Sequence, residues 1–136
     1  MAAATPIPQD PPIVLDAAWS DRLEDLAAVA IRRGLGAVGD RLMAEVARAT
    51  VLPSAEMPAD VVNIGSAVRY RDEMTGREQT VSLVLPQNVD IDRGRISVLT
   101  PVGAALIGLR AGATIGWETR EGAERRLTVL AVTPAA

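Results

Sequence analysis

Apolar residues follow two different rhythms along this chain, and the rhythm changes near residue 60. Over residues 16–33 they recur at three- and four-residue spacing, at Trp19, Leu23, Leu26, Ala27 and Ala30. That spacing lays one apolar stripe along a helix. Ser20 or Asp16 can cap its start. Gly34 and Gly36 interrupt the pattern, because glycine costs about 1 kcal/mol in a helix interior. A second helix is predicted from residue 37 or 39 to residue 50, with Leu42, Met43, Val46 and Ala49 as its stripe. A short glycine-containing link between two such helices predicts an antiparallel helical hairpin. One stripe per helix means that each needs the other, or a further surface, to bury it.

Proline-rich stretches set off this hairpin. Residues 1–12 carry four prolines and little periodicity, which predicts an extended or disordered tail. Ile13, Val14 and Leu15 are expected to dock against the body. Pro53 and Pro58 bracket a polar stretch, which predicts a linker over 53–58.

Beyond residue 60 the period falls to two. Val68 and Tyr70 alternate with Arg69 and Arg71, and with the turn at 72–76 and the run 79–85 they predict a β-hairpin. An acidic loop at 88–94 carries Asp90 and Asp92. A third strand is predicted over 95–100. Thr100 and Pro101 then form an N-cap and a first-turn proline, opening a short and nearly all-apolar helix over 101–109. Gly103 inside it signals the close approach of another backbone. Two more strands, 114–119 and 125–133, close the chain. The expected architecture is α+β: a short antiparallel helical hairpin at 13–52, then an antiparallel sheet with one helix at 59–134. Trp19 and Trp117 both fall on apolar faces and read as core residues.

Composition prunes the chemistry. The chain has no Cys and no His, and all 14 basic residues are Arg. Thiol, zinc-thiolate and Schiff-base chemistry are thereby excluded, and so are the commonest general base and metal ligand. The net charge is −3. Residues 61–136 hold nine Arg against eight acids, so neither half is a basic patch and no sequence-specific DNA binding is expected. No phosphate-binding glycine loop occurs. Asp90 and Asp92 are spaced as solvated turn residues, and no metal or cofactor is assigned. Neither a signal peptide nor a membrane span is expected, and a cytoplasmic setting fits the lack of Cys.

The segment 94–109 (GRISVLTPVGAALIGL), with the Gly-containing turn that follows, resembles the C-terminal domain signature of the Gre family of transcript elongation factors. Segments 57–62 (MPADVV), 68–71 (VRYR) and 102–106 (VGAAL) are similar to the Rnk-type members of that family, the regulators of nucleoside diphosphate kinase. The resemblance spans 57–133 and extends by helix pattern and placement over 13–52. It implies an FKBP-like C-terminal domain that grips bacterial RNA polymerase at the rim of its secondary channel. The implied contact lies near Asp90, Asp92, Arg95, Thr100, Pro101 and Val102. It also implies an N-terminal coiled coil, whose acidic tip in cleavage factors helps to hold a catalytic metal.

At the turn of this hairpin stand Arg32 and Arg33, with no carboxylate between residues 30 and 39. A hard divalent cation needs several oxygen ligands. Helices of about 15–17 residues span only about 25 Å. The expectation is therefore a non-enzymatic regulator that occupies the channel rim, competes with Gre factors and does not stimulate cleavage. The alternative is a regulator of nucleoside diphosphate kinase acting outside the polymerase. Prolyl isomerisation is not expected, because the chain has one Tyr, two Trp and no Phe to line such a pocket.

Overall fold

The computed structural model describes residues 11–135. It begins with a short strand, β1 (Val14–Asp16), whose three residues are all buried. The carboxylate of Asp16 accepts the Ala18 N–H at 2.8 Å and so caps α1 (Ala17–Arg32). Leu23, Ala27 and Ala30 form the buried stripe of α1. The chain reverses through Gly34, which holds a left-handed φ of 85°, and enters α2 (Gly36–Arg48). A Cβ at Gly39 would sit 2.7 Å from Ile31 Cγ1 and 2.9 Å from the Ala27 carbonyl oxygen. The missing side chain is what lets the two helices cross closely there. β2 (Thr50–Leu52) then pairs with β1 in parallel, Val14 opposite Thr50. This two-stranded unit was not predicted.

α2 buries one charged residue, Glu45, on its inner stripe. Glu45 pairs with Arg41 at 3.2 Å and with Arg48 at 2.7 Å. Arg48 also donates to the Pro11 carbonyl at 2.6 Å, which ties the start of the described chain to the end of α2.

The main sheet has five strands in the order β5-β4-β3-β7-β6. They are β3 (Ala67–Asp72), β4 (Glu78–Val84), β5 (Arg95–Ser97), β6 (Thr114–Glu118) and β7 (Glu124–Thr133). β3 pairs antiparallel with β4 and β7, and β6 pairs antiparallel with β7. β4 and β5 are parallel, with Leu83 opposite Ile96. The sheet is therefore mixed and not the antiparallel sheet expected. The physical reason is the connection over 85–94, whose two 3-10 turns carry the chain back alongside Ser82, within β4, before β5 begins.

β5 is also shorter than the predicted strand 95–100. Beyond Ser97 the backbone turns: Leu99 N–H donates to Ser97 Oγ at 2.9 Å, and Thr100 Oγ1 donates to the Ser97 carbonyl at 2.7 Å. Helix α3 (Pro101–Leu106) ends before residue 109: Ile107 leaves helical geometry with a ψ of 129°, and Gly108 follows in left-handed conformation with a φ of 81°. Its N–H goes to the Val62 carbonyl and the Val62 N–H to that of Leu109, so this segment pairs with residues 61–62.

α3 lies across the sheet with Ala104, Ala105 and Leu106 fully buried. They join Val68, Leu83, Ile115, Leu127 and Val129 of the sheet. The same hydrophobic cluster takes in Ile13, Leu15, Leu23, Ala27 and Leu42. The hairpin thus buries its stripe partly on the α3 side of the body. No helix among the described residues is long and apolar enough to cross a membrane.

Candidate docking surface

Thr100 organises the corner where β5 meets α3. Its hydroxyl accepts the Gly103 N–H at 3.0 Å while donating to Ser97, so one side chain caps the helix and fastens the preceding turn. A Cβ at Gly103 would lie 2.2 Å from the Ser97 carbonyl oxygen. The close backbone approach predicted for Gly103 is present. Pro101 fills the first helical position, where no N–H is required.

This rigid corner borders a hollow of about 360 Å³. Thr100, Pro101 and Val102 form one wall, Tyr70 and Trp117 another, and Val89, Ile91 and Ile96 a third. The hollow is lined almost wholly by uncharged groups, with Arg120 its sole charged residue. Val89 and Ile91 are 42% and 71% exposed, high values for aliphatic side chains. They stand on the loop before β5, which is closed by reciprocal Asp90–Arg95 backbone bonds of 3.1 and 2.9 Å and by Gly94 in left-handed conformation. Tyr70 donates to Gln79 at 3.2 Å, and burial, with Asp72 nearby, pushes its hydroxyl pKa up.

Of the residues predicted from sequence, Thr100, Pro101 and Val102 line the hollow directly. Asp90 and Asp92 stand on the adjoining loop and Arg95 opens β5; they frame the hollow without lining it. Asp90 pairs with Arg93 at 3.5 Å. Arg32 and Arg33 are exposed at the hairpin turn. Among the described residues no group of three or more acidic side chains is gathered to hold a metal. Sequence reasoning missed Tyr70, Val89, Ile91, Ile96, Trp117 and Arg120 as lining residues. Ile91 carried the one usable signal, an isoleucine set between two aspartates in a loop.

A second hollow, of about 380 Å³, lies beside the first. Residues 34–38 of the hairpin turn face Glu118 and Gly122 across it, and Pro101, Thr119 and Arg120 belong to both hollows.

The family described as "Transcription elongation factor, GreA/GreB, C-term" matches residues 57–134, more than half of the chain. The chain belongs to the GreA/GreB family. The matched region holds the sheet, α3 and the whole lining of the first hollow. Among relatives, "Regulator of nucleoside diphosphate kinase" of Escherichia coli K12 is 37% identical over 120 residues, covering 88% of each chain. "Transcription elongation factor GreA" of Sinorhizobium medicae is 37% identical over 70 residues, which is 52% of this chain and 44% of that one. A solved GreA/GreB elongation factor from Nitrosomonas europaea superposes with a TM-score of 0.69 at 37% identity, covering 92% of this chain and all of that one. These GreA/GreB relatives are named as regulators and elongation factors.

Proposed function

We propose that this chain binds bacterial RNA polymerase at the rim of the secondary channel and regulates elongation by occupancy, without stimulating transcript cleavage and without catalysis of its own. The observation that carries the reading is the apolar hollow at Thr100, Pro101 and Val102, inside the region that matches the GreA/GreB family. An exposed apolar hollow framed by Asp90, Asp92 and Arg95 suits a protein partner better than a polar metabolite. In this reading residues 59–134, as an FKBP-like module, make the grip, and residues 13–52 form a short arm in a cytoplasmic protein.

The composition and length of the hairpin support the absence of cleavage. Helices of 16 and 13 residues reach about 24 and 20 Å. Their turn presents Arg32, Arg33 and Leu35 where a metal would need carboxylates. The test is capture of core polymerase by the purified chain, with a Gre factor as competitor. Capture that the Gre factor displaces is the expected result, and no binding at micromolar concentration rejects the reading.

The E. coli relative's name motivates a second reading, regulation of nucleoside diphosphate kinase. A coupled assay of purified kinase, with and without the chain, checks it. Direct action changes the rate, whereas action through transcription leaves it unchanged.

A further inference from the structure

Three of the six exposed large apolar side chains among the described residues, Leu35, Val89 and Ile91, line the two adjoining hollows. Leu35 sits at the hairpin turn and is 51% exposed. Val89 and Ile91 belong to the loop before β5. They are far apart in sequence, yet the hollows they line share the wall made by Pro101, Thr119 and Arg120. Scattered apolar residues on a surface are ordinary, but adjoining hollows that both carry exposed apolar side chains mark an interaction site; the wall they share is Pro101 with the polar Thr119 and Arg120, and the second hollow also holds Arg41 and Glu118. Arg120 stands at the junction and forms no ion pair among the described residues.

We infer that the two hollows form one composite docking site, in which the hairpin turn is the second wall and Leu35 contacts the partner directly. The inference rests on the polymerase reading and deepens it. The occupant is a polymerase segment with apolar side chains long enough to span both hollows and a carboxylate that meets Arg120. The arm then contributes to affinity through its own turn, next to the sheet module, in addition to anything it does inside the channel.

Leu35 offers a clean probe. It is the N-cap residue of α2 and makes no side-chain capping bond. Ser or Asp, both favoured at such a position, should leave the fold intact or firm it. A contact role and a structural role therefore predict opposite effects.

The experiment measures binding of the full chain to immobilised core RNA polymerase, at two salt concentrations, together with melting curves. The variants are Ile91→Asp in the first hollow, Leu35→Asp and Leu35→Ser at the turn, Arg120→Glu at the junction, and Met74→Ser as an exposed control elsewhere. The expected result is strong loss for Ile91→Asp, about tenfold weaker binding for the Leu35 variants with unchanged or raised melting temperature, and unaltered binding for Met74→Ser. Arg120→Glu should weaken binding and reduce its salt dependence. If Ile91→Asp abolishes binding while the Leu35 and Arg120 variants match the parent, the composite site is wrong and the polymerase reading stands. If the parent itself does not bind, both fail.

Discussion

Replacing Asp16 with Ala should separate three segments that one carboxylate now holds together. Its oxygens accept the Ala18 N–H at 2.8 Å, the Ser54 hydroxyl at 2.5 Å and the Asn63 side-chain amide at 3.0 Å. These partners belong to the start of α1, the linker and the loop before β3. The residue is only 6% exposed, so water cannot replace the lost acceptor well. Losing the cap costs about 1 kcal/mol. Leaving the Ser54 and Asn63 donors without their charged partner adds about 1 kcal/mol each, for a total of about 3 kcal/mol. In a chain of this size that lowers the melting temperature by roughly 10 °C.

Burial raises the Asp16 pKa, but the three hydrogen bonds outweigh it and hold the carboxyl below its ordinary value of 3.8. A depressed folded pKa contributes stability above the unfolded value that disappears as pH falls through the folded one. The gap between the parent and Asp16→Ala should therefore be widest at neutral pH and narrow as pH falls below 3.8. Urea unfolding followed by circular dichroism from pH 7 to pH 2 measures this directly. A loss of unfolding free energy below about 0.5 kcal/mol at pH 7, or a gap that persists unchanged at pH 2, would refute the latch.

Gly103→Ala should cost about 3 kcal/mol in the same assay, since the new methyl collides with the Ser97 carbonyl oxygen 2.2 Å away and the rigid corner must shift. Glu45→Ala strands two arginines that are only partly solvated; a loss of about 2 kcal/mol is expected, less than for a fully buried pair. Glu73 is held by hydrogen bonds from Arg71 and Thr128, which lower its pKa to about 2. Carboxyl-detected NMR titration should find that low midpoint in the parent and its return toward 4.5 in Arg71→Ala.

The elements legible from the sequence were those long enough to show a period. The stripe through Leu23, Ala27 and Ala30 located α1, and the alternation at Val68 and Tyr70 located β3 and its inward face. β1 and β2 escaped because a three-residue strand is too short to alternate, and Val14, Leu15 and Asp16 are buried together. The parallel β4–β5 pair was hidden for another reason. Its direction is set by the path of the loop over 85–94, which local patterning does not encode. The docking corner was half visible: Thr100, Pro101 and Val102 announce themselves as a capped helix start. Their opposite walls, Tyr70 and Trp117, read only as a strand position and a core residue, because alternation gives a face and not a neighbour. Leu35 lay between two glycines that draw attention to the turn and away from what it presents.

Transcript cleavage in stalled elongation complexes distinguishes a polymerase occupied without cleavage from one stimulated to cleave. Complexes receive the chain alone, GreA alone, or GreA after a molar excess of the chain. No shortened transcript is expected with the chain alone, and cleavage should be suppressed when the chain precedes GreA. Shortened transcripts with the chain alone, or GreA cleavage undiminished by a large excess, would overturn occupancy without cleavage.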